Sequence, residues 1–206
     1  MSRYVSIDLE LEQPNGPQVN DSKSDKPKII QLGVVAFELD TENPVILEQR
    51  TFHLRYDKGL STFIKSLTSI NDEDLANPEC EDSLEAINEL TQVIKRHNAS
   101  RRIVEWGSGD LSALREEAGL TIDDAFKLGI ARNTINVRVL YDLFMIANGL
   151  NPKGGLGSAI KRMNLVFQST TYKGRNKGIH WAEADALNTA VIFNKIMSLI
   201  KGTFPN

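Results

Sequence analysis

Hydrophobic positions change their period as the chain proceeds. Residues 3–9 include the strand formers Tyr4, Val5 and Ile7, and read as a first strand. Residues 29–39, Ile-Ile-Gln-Leu-Gly-Val-Val-Ala-Phe-Glu-Leu, are a nearly continuous apolar run suited to a central strand. Asp40 to Pro44 makes a turn, and Val45 to Leu54 reads as a third strand that completes an antiparallel meander. Between the first two strands, residues 13–28 carry three prolines with several Asp, Ser, Asn and Lys, the composition of a flexible loop.

Further along, the spacing becomes helical. Ser69-Ile70-Asn71-Asp72-Glu73-Asp74 has the form of a capped helix start. Residues 82–97 place Leu84, Ile87, Leu90 and Ile94 on one helical face. Arg102 to Trp106 reads as a short strand, 110–118 as a helix, and Thr134 to Val137 as a last strand running into an apolar helix at 138–148. Gly154-Gly155-Leu156-Gly157 opens a short helix; it lacks the lysine and spacing of a phosphate-binding loop. The final helix, about 182–200, carries Ala186, Ala190, Phe193, Met197 and Ile200 as a core stripe. Strands first and βα units afterwards predict an α/β fold: a mixed five-stranded sheet with a three-strand antiparallel meander, flanked by helices. The 206 residues suit a single domain over 1–206, without internal repeat.

Composition narrows the function. A hydrophobic share of 41% supports a real core, and 25% charged residues argue against global disorder. No run of eighteen apolar residues exists, so no membrane span is expected, and the start of the chain has no signal-peptide pattern. Cys80 is the only cysteine, which excludes an internal disulfide and a cysteine-based zinc site and fits a reducing, cytoplasmic location. The net charge of −3 excludes a strongly basic nucleic-acid coat protein. It leaves room for a nucleic-acid substrate, because two bound divalent cations would carry the total to about +1, with the change concentrated in one cleft.

Several residues could carry chemistry. Asp8 and Glu10 are two apart on a strand and project to one face. They repel each other unless a cation lies between them, and a hard ion such as Mg²⁺ or Mn²⁺ takes oxygen ligands. The alternative is an edge strand with a solvated acidic face. Glu12 shares the parity but falls where the loop begins. Asp110 follows the small residues Gly107-Ser108-Gly109 at a strand-to-helix turn; it is either a helix N-cap or a carboxylate near a ligand. Asp185 lies in the final helix, five residues after His180, whose reference pKa near neutrality suits a general base. The competing reading of His180 is an exposed loop histidine; His53 and His97 are assigned structural roles. Leu9 either meets a terminal nucleotide or packs in the core on the opposite sheet face. Lys173, Arg175 and Lys177 form a basic, Gly-containing loop that either binds phosphates or is solvated.

Together these segments resemble a known family. Ser6-Ile7-Asp8-Leu9-Glu10 with Ile29-Ile30-Gln31-Leu32-Gly33-Val34-Val35 resembles the first motif of the DEDDh 3′→5′ exonucleases, the DnaQ-like group on an RNase H-like fold. Trp106-Gly107 through Asp110 is similar to their second motif, and His180-x-Ala182-x-x-Asp185-Ala186 to their third. Ser66 to Leu75 resembles the Leu-Thr-Gly-Ile segment that leads into a helix. The resemblance covers about residues 4–195, and the spacing is most similar to the enhanced-RNAi-type and KapD-like branch. Gln31 stands where many relatives have Glu, and Ser69 where many have Gly. The resemblance implies that Asp8, Glu10, Asp110 and Asp185 hold two Mg²⁺ or Mn²⁺ ions, and that His180 activates water. It implies removal of nucleoside 5′-monophosphates from the free 3′ end of single-stranded RNA or DNA. Two other readings compete: a nucleic-acid-binding or scaffold protein with little turnover, and an RNase H-type endonuclease, which usually lacks the His-x₄-Asp arrangement. Oligomeric state is not legible.

Overall fold

The structure, a computed structural model, describes residues 2–12, 27–99, 102–130 and 134–203, with side chains to residue 200 in the last helix. In chain order the elements are β1 (Arg3–Glu12), β2 (Lys28–Glu38), β3 (Val45–His53), α1 (Thr62–Thr68), α2 (Asp72–Leu75), α3 (Ser83–Arg96), β4 (Ile103–Glu105), α4 (Asp110–Glu117), α5 (Ile122–Lys127), β5 (Ile135–Asn136), α6 (Val137–Ala147), α7 (Leu156–Arg162), β6 (Thr170–Tyr172), β7 (Arg175–Lys177) and α8 (Ala182–Thr203). β1, β2 and β3 pair antiparallel as the expected meander, and β4 and β5 add parallel to β1, giving the order β3-β2-β1-β4-β5. The mixed five-stranded sheet read from the pattern is therefore observed. The loop expected at 13–28 lies outside the described residues except for Pro27 and Lys28, and Lys28 already belongs to β2.

Side-chain alternation sorts the sheet into two faces. Val5, Ile7, Leu9, Leu32, Val34 and Phe52 enter one core layer with Ala86, Ile87, Leu90, Val93 and Ile94 of α3 and Leu111 and Leu114 of α4. Leu84, expected on the buried face of α3, points outward; Ser83 faces inward instead and donates its hydroxyl to Glu117 Oε1 at 2.8 Å. The other sheet face packs on α8, with Phe37 and Phe193 meeting edge to face, and with α6 and α7 beyond. Burying such side chains stabilises by about 1.5–3 kcal/mol each, which is why β2, buried along nearly its whole length, reads as a nearly continuous apolar run broken by Gln31.

Two cross-sheet rows position everything that follows. Asp8 lies opposite Gly33 and Gly33 opposite Thr51; Glu10 lies opposite Gln31 and Gln31 opposite His53. Directly opposed residues share a face, so both rows look toward the start of α8. A β-bulge follows: Glu10 pairs with Gln31 but Leu11 with Ile29, leaving Ile30 as the extra residue. Ile30 packs with Trp181, Ile64 and Ile70 under the α1–α2 layer.

The α8 terminus rests on bare backbone. A Cβ at Gly33 would sit 2.1–2.3 Å from the Ala182 carbonyl and the Glu183 nitrogen. Gly33→Ala therefore forces the helix off the sheet. The expected loss is about 1–3 kcal/mol or more of overpacking, against about 0.5–1 kcal/mol for Gly155→Ala, an N-cap position where a Cβ meets nothing within 4 Å. Chemical denaturation of the two variants checks this; equal stabilities would contradict the packing account.

Candidate active site

The first turn of α8 is held at three points. Ala182 N–H donates to Gln31 Oε1 at 2.8 Å, Thr51 donates its hydroxyl to the Glu183 carboxylate, and the helix backbone covers Gly33. Gln31 and the imidazole of His53 are fully buried, joined by a 2.9 Å contact between Gln31 Nε2 and His53 Nε2. His53 Nδ1 reaches Glu79 Oε2 at 2.9 Å, and Tyr172 O–H donates to Glu79 Oε1 at 3.1 Å. Gln31 Nε2 can only donate, so His53 accepts at Nε2 and donates at Nδ1 to the Glu79 carboxylate. Burial opposes ionisation of Glu79, but its hydrogen bonds with the His53 ring and backbone hold its pKa down to about 2. His53 thus has the structural role expected of it. His97 does too, with Nε2 2.8 Å from Glu48 Oε2.

Held this way, α8 brings Asp185 to the carboxylates of β1. Asp185 Oδ2 accepts from His180 N–H at 3.1 Å, while its buried Oδ1 has no hydrogen-bond partner among the described residues. His180 sits at φ +63°, a left-handed conformation uncommon for residues other than glycine, and is exposed. A ligand atom from each of Glu10, His180 and Asp185 lies within 4.8 Å of the others.

Asp110 enters from the second strand-helix junction. The reading of Asp110 as an N-cap is corrected: Gly109 is the N-cap, at φ +132°, and Asp110 is the first residue of α4. The capping work belongs to Glu105, a residue outside the candidate set drawn from the sequence. Its buried carboxylate accepts from Gly109 N at 3.2 Å and Leu111 N at 3.3 Å, and from the Thr134 hydroxyl. Its signal was available as a carboxylate at a strand end, five residues before a helical Asp. Glu12 also proves to lie within β1, buried, with Oε2 accepting from Ser61 N at 3.1 Å ahead of α1.

The acidic groups disturb one another. Burial, then the charges of Asp110, Asp185, Glu10 and Glu105, push Asp8 far above the usual carboxylate range, although part of its surface still meets solvent. Burial, then Asp185 and Asp110, raises Glu10 to about 8. Burial and then Glu105 raise Asp110; burial also raises Asp185, against the opposing bond from His180 N–H. An oxygen-rich donor set, mutually repelling carboxylates and the orphaned Asp185 Oδ1 fit a divalent cation.

The other candidates fall elsewhere. Leu9 belongs to the core on the opposite sheet face. The basic segment expected as a loop is instead the β6–β7 hairpin, turning at Lys173 and Gly174, both at positive φ. Lys173 and Arg175 are exposed near its tip. Lys177 is buried, donates from Nζ to Ser69 O at 2.8 Å and lies 4.1 Å from the Trp181 ring centroid, and burial lowers its pKa. Lys177 is thus a tie between the hairpin and α1 and not a solvated phosphate contact. Cys80 is buried, its thiol pushed up to about 12 by burial and then by Glu85 and other nearby carboxylates. Among the described residues no helix is long and apolar enough to cross a membrane.

No protein-family model matches the chain, and no curated protein does. Solved structures do. The nuclease domain of 3′hExo, a DEDDh family member bound to rAMP, is 18% identical with a TM-score of 0.70, over 98% of this chain and 93% of that one. A 3′-exonuclease seen in 3′-end-specific recognition of a histone mRNA stem-loop is 17% identical, TM-score 0.68, over 96% of this chain and 64% of that one. Exonuclease I of E. coli in complex with a dT13 oligonucleotide is 14% identical, TM-score 0.62, over 98% and 41%. This chain therefore spans less than two thirds of the length of the latter two. The likeness establishes the fold alone: an RNase H-like α/β fold, with a mixed five-stranded sheet flanked by helices.

The raised carboxyls fix a pH dependence. Their folded pKa values exceed the unfolded ones, so the folded state binds more protons, and the metal-free protein loses stability as pH rises from the ordinary carboxylate range through about 8. Thermal unfolding in chelator should drop by at least about 5 °C between about pH 5 and about pH 9, and Mn²⁺ should restore most of it at the higher pH. A flat profile would remove the electrostatic argument for the site.

Proposed function

We propose that this chain is a metal-dependent 3′→5′ exonuclease. It releases nucleoside 5′-monophosphates from the free 3′ end of single-stranded RNA or DNA. The observation that carries the reading is the gathering of Asp8, Glu10, Asp110 and Asp185 into one mutually repelling cluster beside His180, on a fold shared with 3′-exonucleases.

Asp8, Glu10 and Asp185 would hold two Mg²⁺ or Mn²⁺ ions, with Asp110 contributing directly or through water. Bound there, the cations supply Lewis-acid stabilisation of the attacking and leaving oxygens. His180, exposed and next to Glu10 and Asp185, takes the proton of the attacking water. Its backbone N–H bond to Asp185 keeps base and carboxylate in register. Asp110 is free for this role because Glu105 serves the α4 terminus. The exposed Lys173 and Arg175 offer phosphate contacts that position a strand without reading its sequence. Residues 1–206 serve this activity as one catalytic domain, and the single buried thiol suits a cytoplasmic location.

A 5′-labelled oligonucleotide tests the reading. Asp8→Asn should abolish Mn²⁺-dependent shortening. His180→Asn, which tolerates the left-handed backbone, should lower kcat by about 10²–10⁴-fold, and circular single strands should remain uncut. Wild-type-like turnover in either purified variant, or cleavage of the circle, would refute the assignment. Charge reversal at Lys173 and Arg175 should raise KM at low salt and reduce the salt slope by about 1–2; an unchanged KM would remove the hairpin tip from substrate binding.

A further inference from the structure

Beside the carboxylates of Glu10 and Asp185, His180 offers a nitrogen donor that an oxygen-seeking ion does not need. One ligand atom from each lies within 4.8 Å of the other two. Asp185 has one oxygen, Oδ2, occupied by His180 N–H and the other buried and unpartnered. The imidazole of His180 takes part in no hydrogen bond among the described residues and is exposed, so it can turn. Mg²⁺ keeps an octahedral oxygen shell. Zn²⁺ and its neighbours accept imidazole nitrogen at about 2.0–2.1 Å and carboxylate oxygen at about 2.0–2.2 Å, often with three protein ligands and one open position.

We propose that Glu10, His180 and Asp185 form a transition-metal site, selective for imidazole-seeking ions such as Zn²⁺, that inhibits the protein by capturing its base. A tetrahedral ion places its ligand atoms about 3.4 Å apart, so a spread of up to 4.8 Å closes with a contraction of about 1.4 Å or less, within reach of the mobile ring. The nitrogen lone pair that binds the ion is the one that would take a proton from water. A base held as a ligand is no longer a base. Mn²⁺, at the weak end of the affinity order for such sites, competes poorly for the imidazole, whereas Zn²⁺ competes well. Metal binding here stands on the geometry alone; inhibition rests on the function proposed above.

Metal-stripped protein, wild type and His180→Asn, is titrated with Zn²⁺ by calorimetry and with Co²⁺ by visible absorption, and each variant is checked for folding by thermal unfolding. Asn keeps the backbone conformation while removing the imidazole. Wild type should bind Zn²⁺ at least about tenfold more tightly, about 1.4 kcal/mol, and give the intense Co²⁺ bands of a low-coordinate site. The variant should bind Mg²⁺ as wild type does. Glu10→Gln should weaken Zn²⁺ in the same way, which keeps the test open if His180→Asn misfolds. Zn²⁺ added to a Mg²⁺-supported digestion should stop shortening of the oligonucleotide, and excess Mg²⁺ should restore it. Equal Zn²⁺ affinity with and without His180, or turnover supported by Zn²⁺, would overturn the inhibitory site. His180-dependent Zn²⁺ binding in a wild type inactive with Mg²⁺ and Mn²⁺ would overturn the proposed function and leave the metal site standing.

Discussion

Contact between the start of α8 and the bare backbone at Gly33 governs the rest of the structure. No side chain separates helix from sheet there. Asp185 of that helix therefore comes close enough to Asp8 and Glu10 to disturb their ionisation, and three anchors set its rotation. Gln31 takes the Ala182 N–H, Thr51 holds the Glu183 carboxylate, and the Gly33 contact fixes the height. These anchors lie in the two sheet rows that contain Asp8 and Glu10. The register that aligns the acidic residues thus also aligns the support for their partner.

Behind that contact, a polar chain runs from the buried Gln31 and His53 outward to the exposed Glu79 and the half-buried Tyr172. Gln31 donates to His53 and His53 to Glu79, while Tyr172 donates to Glu79 from the other side, so the donors converge on its carboxylate. Such a chain is stable only when every member is satisfied, and a glutamine at position 31 is suited to it: its amide donates to His53 and its carbonyl accepts from the helix. On the other side of the site, Glu105 serves the α4 terminus and leaves Asp110 uncommitted. The site is built by letting neighbouring polar groups absorb the structural duties that Asp110 and Asp185 would otherwise share.

Much of this was legible beforehand, and the misses have specific causes. The meander and the last helix follow from period-2 and period-3.6 patterning, whereas Asp8, Glu10, Asp110, His180 and Asp185 stand out by spacing and by the resemblance of their segments to the exonuclease motifs. Lys177 was misplaced because a basic run says nothing about which member turns inward; its stem lies over Trp181 and its head finds the Ser69 carbonyl. Glu105 was missed because its role depends on backbone N–H groups that exist only once the turn at Gly107–Gly109 has formed. Glu12 belongs to β1 and not to the loop because the β-bulge that extends the pairing past Glu10 is set by the register with β2, which side-chain alternation within β1 does not reveal.

The sequence by itself determined the meander, the mixed character of the sheet, the long helices and the choice of the acidic residues and the histidine as candidates, because these rest on local alternation and on chemistry intrinsic to each side chain. Only the tertiary structure decided which carboxylates are free and which are occupied, which lysine is buried, and that His180 approaches Glu10 and Asp185 closely enough to act as a ligand as well as a base. Those outcomes depend on distances between segments up to 177 residues apart, such as Asp8 and Asp185. Such distances are set by packing: here, by the helix terminus that a single missing Cβ admits.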